Sequence, residues 1–137
     1  PPAYEAGGAG LVSTLDDYSR FAAMLLNKGN YQGRQLLQPG TVEYMTTHKL
    51  VPYQQEWFDK WWEMNGYSYG NLMRVMTDPW RAPFAACEGE YGWDGWLGGY
   101  FANLPKENMT ILMMMQKKDA GTFDLTRRLR NVLLLGM

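Results

Sequence analysis

The chain has 137 residues, with 13 basic and 14 acidic side chains, a net charge of −1 and 46% hydrophobic content. That length supports one core of ordinary size, and the composition is that of a globular chain rather than a disordered one. The balanced charge argues against an electrostatic nucleic-acid binder, and a single cysteine, Cys87, excludes an internal disulfide scaffold.

Neither feature fixes the compartment. With one histidine, His48, and one cysteine, the chain carries no metal-ligand spacing. Its long apolar run, Met109–Met115, is too short to cross a bilayer. Pro1-Pro2-Ala3 shows neither an initiator methionine nor a signal-like segment, so the chain reads as processed or as part of something longer.

Gly7-Gly8-Ala9-Gly10 is a flexible lead-in. Ser13 or Thr14 can cap a helix over 13–28, because a carboxylate three residues on completes a capping box. Leu15, Tyr18, Ala22, Leu25 and Leu26 follow at helical spacing, and Gly29 stands where helices commonly end. Pro39 suits the first turn of a second helix, over 39–47, with Val42, Met45 and Tyr44 as inward candidates. Residues 51–66 set Trp57, Phe58, Trp61 and Trp62 among charges and read as a loop with some helix.

Four strands are expected within 67–116. They are Tyr67–Met76, a segment near 91–97, Tyr100–Leu104 and Met109–Gln116, with Gly98-Gly99 and Pro105-Lys106-Glu107-Asn108 as turns. The last strand is apolar on both faces and should be covered on both. Thr122 is placed as the cap of a final helix over 122–135, with Phe123, Leu129, Val132 and Leu133 inward. The expected architecture is α+β: an antiparallel sheet of about four strands flanked by helices.

The stretch YGWDGWLGGYFANLP, residues 91–105, mixes bulky rings with bare glycine. Core strands rarely tolerate so much glycine, which fills no space and is entropically unfavourable to order. Taken with GGAGLVSTLDDYSRFAAMLLNKG, QLLQPGTVEYM, YSYG and the continuation to ENMTILMMMQ, it resembles the serine β-lactamase-related family of class C β-lactamases, D-alanyl-D-alanine peptidases and related esterases. The resemblance runs in order over nearly the whole chain and corresponds to the C-terminal portion of that family's catalytic domain.

The resemblance implies several roles. The family's third active-site motif is Lys-Thr-Gly, His-Thr-Gly or Trp-x-Gly, and Trp93-Asp94-Gly95 falls on it. The backbone N–H of Trp96 would then be an oxyanion-hole donor. The family's nucleophile lies in Ser-x-x-Lys, but Ser13, Ser19 and Ser68 are followed three residues on by Asp16, Ala22 and Asn71. No catalytic nucleophile or base is therefore assigned in this chain. Tyr69-Gly70-Asn71 spells the family's second motif but lies where the family has a sheet strand, so it is not taken as catalytic.

Plainer readings weigh against other candidates. An ionised Asp94 pointing into the cleft would repel substrate carboxylates and slightly favour neutral esters, although strand alternation permits the opposite orientation. His48 reads as a surface residue, Cys87 as an inert thiol, and Met113-Met114-Met115 as core. Trp57, Trp61 and Trp62 read as packing against the sheet or an absent lobe rather than as a ligand-stacking surface. Arg127, Arg128 and Arg130 read as a solvated helix face.

Two functions follow. One is a piece of a serine hydrolase acting through an acyl-enzyme on small esters, amides or β-lactams, needing a missing N-terminal portion. The other is a non-catalytic module for cell-wall fragments or sugars. No cofactor is implied. Strand 109–116, bare of charge and proline, is expected to join copies of the chain into a homo-oligomer.

Overall fold

The structure, a computed structural model, describes residues 10–117 and 122–136. The lead-in over 7–9 and the side chains of Trp62, Thr122 and Phe123 lie outside the described set. Helix α1 spans Leu15–Leu26, and Thr14 is its cap, with Oγ1 accepting a hydrogen bond from the Asp17 N–H at 3.1 Å. The helix closes with the Gly29 N–H donating to the Met24 carbonyl at 2.8 Å. Ala22, Met24 and Leu25 are buried, whereas Leu15 stands half exposed.

A small hairpin follows, β1 (Asn30–Tyr31) and β2 (Arg34–Gln35), which has no counterpart in the sequence reading. Two-residue strands carry no periodicity to detect. Helix α2 is Pro39–Thr46, with Val42 buried; Tyr44 points outward and carries the Lys49 ammonium 4.2 Å from its ring centroid. Residues 51–66 resolve into α3 (Pro52–Phe58) and a single 3₁₀ turn, Trp62–Met64.

The main sheet has five strands, not four. They run in chain order, each antiparallel to the next: β3 (Tyr67–Tyr69), β4 (Arg74–Met76), β5 (Tyr91–Asp94), β6 (Tyr100–Leu104) and β7 (Met109–Met113). The expected single strand over 67–76 is a hairpin. The chain reverses at Gly70–Met73, where the Gly70 N–H bonds the Met73 carbonyl at 2.8 Å and Leu72 takes a φ of 68°.

Helices cover both faces. On one, Ala22, Leu25 and Val42 pack on Val75, Tyr91 and Phe101. On the other, Leu129 and Leu134 of helix α4 (Thr122–Leu135) pack on Tyr100, Ala102, Leu104 and Ile111. β7 is thus apolar towards both layers, with Leu112 joining the first core and Ile111 the second. Asn103, fully buried, ties α1 to the sheet, its amide donating to the Ala22 carbonyl at 2.9 Å and accepting from the Thr110 hydroxyl at 2.6 Å.

Helix α4 corrects two expectations. Val132 is 72% exposed, and the inward positions are Thr126, Leu129, Arg130 and Leu134. Arg130 is no part of a solvated face but is buried to 1% exposure.

Among the described residues, β7 pairs with β6 alone. An open edge with no charge and no proline templates further pairing. The isolated chain is accordingly expected to dimerise with β7 against its own copy, as light scattering would show. Met113 is a poor probe because it packs beside Leu129 and Leu134, whereas Met114, the residue just past β7, is 40% exposed. Met114→Lys should raise the dimer dissociation constant by about tenfold or more. A chain that stays monomeric at high micromolar concentration, or a dimer indifferent to that lysine, would rule out this edge as the contact.

Candidate functional site

The stretch that carries the motif occupies β5 and the turn after it. Alternation along β5 sends Trp93 and Asp94 to opposite faces of the sheet. Trp93 stands opposite Phe101, on the α1 side, and Asp94 opposite Tyr100, on the α4 side.

The Trp93 side opens onto a groove of about 420 Å³. Trp93, 38% exposed, meets Tyr69 edge to face at 5.5 Å between ring centroids. Tyr69 in turn touches Phe58 at 6.1 Å, and Phe58 touches Trp61 at 6.3 Å. Leu50, Gln54 and Trp57 complete the wall. Two bonds hold this wall to the sheet edge. Gln55 Nε2 donates to the Tyr67 carbonyl at 2.9 Å, and the Lys49 N–H donates to the Tyr69 carbonyl at 2.8 Å. Trp57 and Trp61 are each 57% exposed, so the sheet alone does not cover them.

The Asp94 side is closed. Asp94 pairs with the Arg74 guanidinium at 2.9 Å, and Arg74 is only 2% exposed. Arg74 lies between the rings of Tyr67 and Tyr100, 5.2 and 5.1 Å from their centroids. Glu90, also buried, accepts from the Tyr67 hydroxyl, from the Cys87 N–H at 3.2 Å and from Arg130. Arg130 further donates to the Tyr100 hydroxyl and to the Ala85 carbonyl, the latter at 2.9 Å. Burial raises the Asp94 carboxyl above its ordinary value, although Arg74 and Arg130 oppose the shift. Burial, together with the neighbouring Glu90 charge, raises the Tyr67 phenol well above its own.

Asp94 therefore does not face the aromatic groove, and its charge is matched from beneath. Carboxylate repulsion by Asp94 has no basis on the Trp93 side. The sequence reading missed this cluster altogether. Its one legible signal was Arg130, four residues from both Thr126 and Leu134 and so on the inward stripe of α4.

After Asp94 the chain turns sharply. The Gly95 N–H donates to the Gly99 carbonyl at 2.6 Å, and the Gly98 N–H donates to the Gly95 carbonyl at 2.9 Å. Trp96 lies in this turn with its ring 71% exposed. A Cβ on Gly95 would meet nothing nearer than 3.5 Å, an ordinary contact, so the fold itself does not demand glycine there.

Of the remaining candidates, one reaches the groove. Tyr69 lines the groove, while Gly70 and Asn71 belong to the β3–β4 turn. His48 is exposed. Cys87 is partly buried; burial, then Glu107 beside it, pushes its thiol up to about 11, which disfavours the reactive thiolate.

A meander of this kind between α1 and α4, with a glycine-rich turn between β5 and β6 beside a groove, is the arrangement found in the serine β-lactamase and transpeptidase-like fold. The Beta-lactamase family model matches residues 1–135, and the chain belongs to that family. Protein Rv1367c of Mycobacterium tuberculosis is 32% identical over 122 residues, which are 85% of this chain and 30% of that protein. An Escherichia coli protein described as "Putative D-alanyl-D-alanine carboxypeptidase" is 29% identical over 124 residues, covering 87% of this chain and 25% of that one. Among solved structures, the LovD9 mutant of simvastatin synthase from Aspergillus terreus superposes with a TM-score of 0.71 at 20% identity, over 90% of this chain and 35% of that one. The chain thus spans about a third or less of each of these relatives.

Proposed function

We propose that this chain forms the motif-bearing wall of an acyl-transfer site in a serine hydrolase acting through an acyl-enzyme. The observation that carries the reading is the end of β5. There Trp93 faces an open groove, and Gly95 is bare where the fold would accept a side chain. A glycine that packing does not require leaves room for a ligand to approach the backbone.

In this reading a serine hydroxyl from outside the 137 residues attacks the carbonyl of a small ester, amide or β-lactam. The oxyanion that forms takes a hydrogen bond from the Trp96 N–H, collapse expels the alcohol or amine, and water releases the acid. The carboxypeptidase named among the relatives fits this reaction class.

No serine of the chain is followed by lysine at the third position. The chain alone is therefore expected to hydrolyse neither a chromogenic short-chain ester nor a chromogenic cephalosporin above a buffer blank. Turnover that a substitution within 1–137 abolishes would defeat the proposal. A second reading, a non-catalytic binding module, draws on the exposed Trp57 and Trp61 rings. A Ser-x-x-Lys in the longer protein supports the enzyme, and its absence there supports the module.

A further inference from the structure

We infer that the groove beside Trp93 binds the uncharged, apolar part of the substrate, an acyl chain or aryl group. This rests on the acyl-transfer reading above and assigns its substrate class. The wall is carbon-rich and already assembled, because Trp61, Phe58, Tyr69 and Trp93 touch one another in sequence. Rings fixed by their neighbours lose little freedom when a ligand stacks on them. The volume of about 420 Å³ lies in the range of small-molecule sites, roughly 300–1,000 Å³.

Charge decides the class. Among the described residues, no carboxylate, ammonium or guanidinium lines the groove. The ionised groups nearby lie outside that lining. Asp94 turns through the sheet to Arg74, Asp59 pairs with Arg81 at 2.7 Å, and Lys49 lies over Tyr44. Lys60 lies over the Trp57 ring with its ammonium 3.3 Å from the centroid. A carboxylate entering the groove would lose hydration and find no ionic partner among the residues that line it, whereas a neutral hydrocarbon would lose nothing of that kind. A sugar would need several hydrogen bonds, and beyond the Tyr69 hydroxyl and the indole N–H groups the wall's side chains offer one amide, Gln54, whose oxygen accepts from the Val51 N–H at 3.2 Å.

The test uses the full chain with ¹⁵N-labelled tryptophan, following the indole N–H signals. The probes are hexanamide, sodium hexanoate of the same size, and N,N′-diacetylchitobiose. Hexanamide should shift Trp57, Trp61 and Trp93 and leave Trp80, which is 97% exposed, in place. Each methylene added to its acyl chain should tighten binding by roughly threefold to fourfold until the groove is filled. Hexanoate should bind at least tenfold more weakly than the amide. Trp61→Ala should lose about tenfold in affinity for the amide, and Trp61→Phe should restore most of it.

Equal or tighter binding of hexanoate would overturn the inference. So would tighter binding of the disaccharide, which would make the groove a sugar platform, or silence of these indoles towards every probe, which would assign the wall to another occupant. Hydrolysis is not read here, so the two proposals fail separately. Selective amide binding stands even if the longer protein hydrolyses nothing. Ester hydrolysis by the longer protein with unmoved indoles would reject the groove alone.

Discussion

Glu90→Ala is expected to destabilise the fold by about 3–5 kcal/mol, the usual effect of breaking a buried ion pair from one side. Glu90 is 1% exposed and receives hydrogen bonds from Tyr67, Cys87 and Arg130. Removing its carboxylate leaves the Arg130 guanidinium, itself 1% exposed, without its anion in a place water does not reach. For a domain of this size such a loss lowers Tm by roughly 10 °C or more. The double variant Glu90→Leu with Arg130→Met removes both charges and should recover much of the loss, because desolvation of the pair offsets much of its attraction. Urea unfolding followed by circular dichroism measures both. A single variant within about 1 kcal/mol of the parent would show that the pair is not held as described.

Gly92→Ala should be damaging on a similar scale. A Cβ at that position would fall inside contact of the Phe101 carbonyl oxygen, 2.7 Å from its carbon and 2.9 Å from the Ala102 Cα. These are backbone atoms of the neighbouring strand, paired in register with β5, so they cannot swing aside as a side chain would. Relief requires parting β5 from β6 through the middle of the sheet. A loss on the order of 3 kcal/mol or more is expected, with failure to accumulate as folded protein the natural outcome. Gly95→Ala, three residues along the same stretch, is the contrast. Its Cβ meets only ordinary contacts, so the chain should keep its fold within about 1 kcal/mol. Thermal unfolding of the pair separates a glycine required by packing from one the packing does not require. A Gly92→Ala chain melting within a few degrees of the parent would contradict the strand spacing.

Two layers of helix on an antiparallel sheet could be read in advance because each element carries its signal within a few residues. Thr14 with Asp17 marks the start of α1, Gly29 its end, and the apolar alternatives along 109–113 a strand covered twice. Trp93 and Trp96 drew attention because rings beside glycine are unusual in a core strand. Other features left little local trace. The turn at Gly70–Met73 hides within one β-rich run, and the two-residue strands β1 and β2 are too short for any period.

By itself, then, the sequence determined where most helices and strands lie, where rings and glycines crowd together over 91–105, and that no serine is paired with a lysine at the third position. Only the tertiary structure decided which way the motif's side chains face. Alternation makes Trp93 and Asp94 diverge, but the identity of each face depends on what packs there from 20 or more residues away: Arg74 in β4 beneath Asp94, Tyr69 in β3 beside Trp93. The same holds for Arg130. A stripe of helix tells that a position faces inward, and only the arrival of Glu90 and Tyr100, residues remote in the chain, makes burying its charge tolerable.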